Sequence, residues 1–325
     1  MDSDGQASVS SELRLSHVDV VGLSFCIVQA AEYGVLSALA GSSHPVSTRE
    51  IEALSGITEA RAEALLHVLH LAGVISVDQT GWLLTPLWAE IEAKSPAGLD
   101  GITALWSDLS SFLSGGVGPL AKADSTEVHY RESVLGMRGL YQSRAEALAI
   151  ALTRHLDTDS GGMVFDIGCG SGVWSASIAR QFGFQAMFVD YEQVVRSAVA
   201  ARPGVPVAAD ARSLPFRNQS GACAVVANVL HCMDETSAQR VVLETCRMLR
   251  VGGLLVVVDS FTAGGPTSIH HALYDLNLRV RGGQLHSSTS VRGMVPPTVE
   301  HIASIELDAS GFVEAQIFKQ CSDLG

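Results

Sequence analysis

The segment from Val164 to Gly172, Val-Phe-Asp-Ile-Gly-Cys-Gly-Ser-Gly, sets the tightest limit on what this chain can fold into. Val164, Phe165 and Ile167 form a short apolar run of the kind buried as a strand. Asp166 interrupts the run, and Gly168, Gly170 and Gly172 follow at alternate positions. Glycine accepts a positive φ and lets another group approach the backbone, so this spacing predicts a tight turn that wraps a ligand. From Val173 to Phe182 the spacing becomes helical, with Val173, Ser177, Ile178 and Phe182 on one side. Strand, glycine turn and helix together place a nucleotide-type pocket outside the carboxyl end of a sheet.

Spacing bears on which nucleotide. The dinucleotide fingerprint G-x-G-x-x-G uses its third glycine to pack helix against strand. In this chain the third glycine comes one residue early, and Val173 stands at the fingerprint position. Downstream, apolar runs alternate with helical patterns. Ala186–Val189 ends in Asp190, Val205–Ala209 in Asp210, and Gly253–Val258 in Asp259, with a further run at Ala222–Val229. Such alternation predicts a parallel sheet with helices on both faces. Acids at strand ends then lie on the ligand side. Asp190 is placed to accept both hydroxyls of a ribose, since one carboxylate takes two hydrogen bonds. A dehydrogenase uses the same device.

Composition narrows the function. With 21 Lys and Arg against 34 Asp and Glu, the formal charge is -13, which argues against nucleic acid as a partner. Apolar runs such as Leu254–Val258 are too short to span a bilayer. Met1–Ser11 has neither a basic region nor an apolar core, so no signal peptide is expected there. Six cysteines without a C-x-x-C pair suit a reducing cytoplasm and give no zinc site.

The first third reads as helices followed by a small hairpin. Val18–Leu39 is strongly apolar with helical spacing; Ser47–Leu54 is a short helix with Ser47 or Thr48 as its cap, and Thr58 is expected to cap a second helix to Leu71. Val74–Val77 and Gly81–Leu84 look like strands around the turn Asp78–Thr80. This is a winged-helix arrangement. A DNA reader needs basic residues on its second helix, and Arg61 stands there between Glu59 and Glu63, so DNA binding is disfavoured.

Taken together, these motifs resemble the class I S-adenosylmethionine-dependent methyltransferases of the small-molecule O-methyltransferase type. The likeness rests on Asp166 with its glycine turn, Asp210-Ala211, Leu214-Pro215-Phe216, Val229-Leu230-His231, Gly252-Gly253 and Val256-Val257-Val258-Asp259. Before them, Tyr33-Gly34-Val35, Leu65-Leu66-His67-Val68-Leu69, Gly73-Val74-Ile75 and Leu84-Thr85-Pro86 follow the same family's order. The resemblance implies an α/β fold with a Rossmann-like, mostly parallel sheet over residues 126–325. A mainly helical winged-helix dimerisation domain over residues 1–125 precedes it, with the boundary near Ser125. It implies S-adenosylmethionine as cofactor, held by Asp166, Gly168, Gly170, Gly172, Asp190, Asp210, Ala211 and Asn228. The partners it implies are a small, aromatic secondary-metabolite acceptor and a second copy of the chain.

The family's histidine base matches His231. Cys232 and Met233 replace its usual Asp and Trp, and Leu285-His286-Ser287 stands where many members have Glu-Arg-Thr. Two mechanisms stay open. In one, His231 is a general base for a hydroxyl; in the other, His231 and His286 hold a metal that directs methylation to carbon. A protein that keeps the scaffold without transferring methyl groups is a third reading. After Val313–Lys319 only six residues remain, so the sheet is expected to lack the family's seventh strand.

Overall fold

A computed structural model describes residues 17–94, 106, 109–116, 137–156, 161–198, 203–262, 269–308 and 313–322. Met1–Ser11, the expected boundary near Ser125 and Val117–Pro119 of the glycine-rich break lie outside the described residues. The chain divides into two compact units, Met1–Ala104 and Leu105–Gly325.

In the first unit, the single helix expected over Val18–Leu39 is two: α1 (His17–Glu32) and α2 (Val35–Ala40). Gly34 separates them at φ 72°, a left-handed conformation that a helix interior does not accommodate. Helix α3 (Thr48–Ser55) starts at a capping box, in which Ser47 and Glu50 satisfy each other's backbone N–H groups. Helix α4 (Glu59–Leu71) leads into the antiparallel pair β1 (Ile75–Val77) and β2 (Trp82–Leu84), followed by α5 (Pro86–Lys94). Leu36, Ile51, Leu66, Leu69 and Ile75 are fully buried at the centre of this unit.

The second unit begins, among the described residues, with α6 (Leu109–Leu113) and α7 (Met137–Ala151). Seven strands follow: β3 (Met163–Ile167), β4 (Gln185–Asp190), β5 (Val205–Ala208), β6 (Gly221–Ala227), β7 (Leu249–Asp259), β8 (Val299–Glu306) and β9 (Glu314–Gln320). They form one sheet in the order β5-β4-β3-β6-β7-β9-β8. The five strands from β5 to β7 pair in parallel, and β9 and β8 are antiparallel. Every residue of β6 is buried, as expected of a central strand covered on both faces. Helices α7 and α8 (Val173–Phe182) pack on one face, with Ala145, Leu148, Val173 and Ile178 in one buried cluster with Val164 and Val225. Helices α10 (Glu235–Met248) and α12 (Ser288–Met294) cover the other, with Val241, Val242 and Val291 against Phe165, Val226 and Val257. Two more helices, α9 (Glu192–Ala198) and α11 (Ile269–Arg281), complete the described elements.

The expectation of a missing strand is corrected. Val299–Glu306 supplies it, pairing with β9 at the edge of the sheet. Its register shifts between His301 and Ala303, and the side chains along it are a mixture of half-buried and exposed. A bulge of this sort breaks the period-two pattern by which a strand is read from sequence.

Candidate active site

The parallel strands bring three carboxylates and a histidine to the carboxyl edge of the sheet. Between β3 and α8 the turn runs through Gly168, Gly170 and Gly172 at φ 68°, 49° and 67°, three left-handed residues in alternate places. A Cβ on Gly168 would fall 2.5 Å from Val229 Cγ2, so the turn requires glycine for space as well as for conformation. Backbone bonds hold the turn to the neighbouring strand: the Gly168 and Cys169 N–H groups both donate to the Val189 carbonyl, at 2.8 and 3.0 Å. Asp190, at the end of β4, accepts from the Gly170 N–H at 2.8 Å and from the Tyr191 N–H at 2.8 Å. Its carboxylate therefore stands at the lip of the turn. Asp166 is buried beneath it and accepts from Ser175 Oγ at 2.6 Å and the Ser175 N–H at 3.2 Å, which ties the start of α8 to β3.

Beyond β5, Asp210 is exposed and gripped by Arg212, whose Nε and Nη2 reach both carboxylate oxygens. Those hydrogen bonds hold the Asp210 carboxyl below its ordinary range. Ala211 is half-buried against the core beside it. Asn228 closes β6 in a left-handed conformation, φ 56°, with its N–H on the Val258 carbonyl at 2.8 Å.

His231 lies in a 3-10 turn, Leu230–Cys232, just past the end of β6, and is buried. Because β6 and β7 are parallel neighbours, this turn meets Asp259 at the end of β7. His231 Nδ1 donates to Asp259 Oδ1 at 2.6 Å, and the same oxygen accepts from the Ser260 N–H at 2.8 Å. A proton on Nδ1 leaves Nε2 of the neutral imidazole as the proton acceptor. Burial disfavours the imidazolium, but the charge of Asp259, the electrostatic influence of Tyr274 and Cys232, and the hydrogen bond to Asp259 outweigh it. The pKa of His231 is raised well above 6.5. The Tyr274 ring stands edge-on to the imidazole, 6.0 Å between centroids.

Sequence reasoning did not single out Asp259 as the partner of His231. The signal was present: an acid after an apolar run, as at Asp190, on the strand that a parallel order sets beside β6. His286 reaches the same turn by a different contact. Its Nε2 donates to the Leu230 carbonyl at 2.9 Å. A nitrogen that carries that proton has no lone pair for a metal. Among the described residues no group of three His, Cys, Asp or Glu side chains is placed to hold a metal ion.

A sheet of five parallel strands closed by an antiparallel pair, with a glycine turn after its central strand, is the Rossmann-like methyltransferase fold. Residues 164–253 match a family model described as a methyltransferase domain. Among solved structures, the chain is similar to the mitomycin 7-O-methyltransferase MmcR, with 17% identity, a TM-score of 0.73, and 94% of this chain and 96% of that one covered. It is similar to human N-acetylserotonin methyltransferase in complex with SAM, at 16% identity and a TM-score of 0.69, covering 94% and 96%. It is also similar to LepI in complex with SAM, at 14% identity and a TM-score of 0.73, covering 94% and 90%. A search of curated proteins found no match to the sequence. No helix among the described residues is long and apolar enough to cross a membrane.

Proposed function

We propose that this protein transfers a methyl group from S-adenosylmethionine to a hydroxyl oxygen of a small aromatic secondary metabolite, with His231 as general base. The observation that carries the reading is the His231–Asp259 pair, set at the same sheet edge as the glycine turn and Asp190. The residues fit the cofactor. Three left-handed glycines carry the turn in a backbone conformation that other side chains rarely adopt, and Asp190 offers a carboxylate to ribose hydroxyls. Asp210 and Ala211, which follow β5, are the residues proposed to meet the adenine, and Asn228 follows β6 just before the base-bearing turn. When bound, the cofactor supplies an electrophilic methyl group on sulfur. The chain's own work is to hold the acceptor in line and to accept its proton at His231 Nε2, while Asp259 stabilises the imidazolium that forms. Cofactor labelled in its methyl group, incubated with extracts rich in phenolic metabolites, is expected to yield a labelled product one methyl heavier. Binding of the cofactor with no transfer to any acceptor overturns the assignment in favour of a non-methylating scaffold.

The partner proposed for the first unit is a second copy of the chain. Helix α1 leaves Val20, Val21 and Phe25 at 49, 57 and 67% exposure, an apolar face of the kind that marks an interface. Light scattering at micromolar concentration is expected to give the mass of a dimer, and Phe25→Glu with Val21→Lys that of a monomer.

A further inference from the structure

We infer that His286 is a positioning residue, which holds the base-bearing turn in place against Asp259. The inference rests on the reading of His231 as the base. Three independent contacts from the segment 283–286 converge on two consecutive residues of that turn. His286 Nε2 donates to the Leu230 carbonyl at 2.9 Å, and the Gln284 N–H donates to the His231 carbonyl at 2.9 Å. Gly283 lies so close that a Cβ there would sit 2.2 Å from the His231 carbonyl oxygen. The segment is itself anchored to the end of β7, where the Thr262 N–H donates to the His286 carbonyl at 3.1 Å. That anchor is three residues past Asp259. One short loop therefore grips both the turn that carries the base and the strand extension that carries its carboxylate.

The physical consequence concerns geometry. A 3-10 turn of three residues is held by few bonds of its own. Here the Cys232 N–H bonds the Val229 carbonyl and the Met233 N–H bonds the Leu230 carbonyl. A hydrogen bond of 2.6 Å weakens with small displacements of either partner, so contacts that fix the turn bear on the bond between His231 and Asp259. His286 is 6% exposed, and its loss takes from the Leu230 carbonyl one of two donors and leaves the Met233 N–H as the other, so the turn keeps its own bond and loses the one that ties it to the neighbouring loop. His286 thus acts through His231 and needs no contact with acceptor, cofactor or metal.

The test follows histidine side chains by proton–nitrogen NMR on the whole protein without cofactor or acceptor. In the wild type His286 is expected to carry its proton on Nε2, and His231 to titrate above 6.5. The groups facing His231 that contribute to its titration are Asp259, Tyr274, Tyr141 and Cys232. In His286→Ala the His231 midpoint is expected to fall towards 6.5 or below. His286→Gln, whose amide can donate to the same carbonyl, is expected to restore it. With an identified acceptor, kcat of His286→Ala is expected to fall about tenfold or more while KM for the cofactor stays within about twofold, and His286→Gln to recover most of the loss. An unprotonated Nε2 on His286 in the wild type overturns the inference without any variant being made. So does broadening of both His231 and His286 by stoichiometric Co2+, or a His231 midpoint that His286→Ala leaves in place. A restored midpoint in a protein that methylates nothing leaves the clamp standing and removes the proposed function alone.

Discussion

Replacing His231 by alanine is expected to lower the rate of methyl transfer by about a hundredfold to ten-thousandfold, the range for loss of a positioned general base. The cofactor affinity is expected to change little. The pH dependence gives a sharper signature. A base must be neutral to accept a proton, and His231 has its pKa raised by Asp259 against the opposing effect of burial. The value of kcat/KM is therefore expected to climb as pH rises through a midpoint above 6.5, then level off. In Asp259→Asn the carboxylate's attraction is gone while burial remains, so the midpoint moves to lower pH and the plateau falls with the weaker base. Stability runs the other way. A pKa raised in the folded state stabilises the fold fully below the unfolded value of about 6.5, and that contribution is lost as pH rises through the folded value. The wild type is thus expected to gain activity and lose some stability across the same interval. Pairing stopped-flow rates with thermal melts at matched pH checks both slopes; a rate indifferent to His231→Ala removes the base mechanism.

Asp190→Ala is the second large effect. Hydrogen bonds to a charged group are worth about 1.5–3 kcal/mol, so losing the acceptor of the ribose hydroxyls is expected to weaken cofactor binding by about tenfold to a hundredfold. Asp190 also receives the Gly170 N–H, so alanine removes a tether of the glycine turn along with the acceptor. Asp190→Asn is intermediate, since its one amide oxygen can keep the Gly170 N–H while the charge and the second acceptor, used by the Tyr191 N–H, are gone. Calorimetry with S-adenosylmethionine is expected to rank wild type above Asp190→Asn and Asp190→Ala last. Tight binding of a nicotinamide dinucleotide to the wild type would contradict the reading of the glycine spacing.

How far the site was legible follows from how local each feature is. The glycine turn and the acid closing β4 are set by residues within one short segment and stand where the sequence put them; of the caps, Ser47 makes its bonds where Ser47 or Thr48 was open, while Thr58 sits at the start of its helix without a side-chain bond to it. Gly34 was visible within an apolar run yet was read as part of one helix, because apolar spacing outweighed a single glycine. The pairing of His231 with Asp259 spans 28 residues and depends on β6 lying beside β7. No residue near His231 in sequence announces its carboxylate. His286 was legible as unusual, standing one residue past the place of the family's glutamate, but its partner is a backbone carbonyl, and a carbonyl has no residue type to read. Strand β8 was missed for the opposite reason, since its bulge scrambles the alternation that would have revealed it.

The position of β9 has a consequence for how the sheet is assembled. Strand β9 comes last in sequence but lies inside the sheet, between β7 and β8. During synthesis from the amino end, β3 to β7 can pair before β9 is available, which leaves the long apolar edge of β7 uncovered. Leu254 to Val258, all buried in the finished sheet, form that edge. Strand β8 cannot shield it, because its partner is β9. A nascent chain paired only as far as β7 would carry that edge uncovered, and self-association there would compete with the closing of the hairpin. Folding yield should depend on how quickly residues 299–320 form that hairpin, a vulnerability of the growing chain that leaves no trace in the stability of the finished protein.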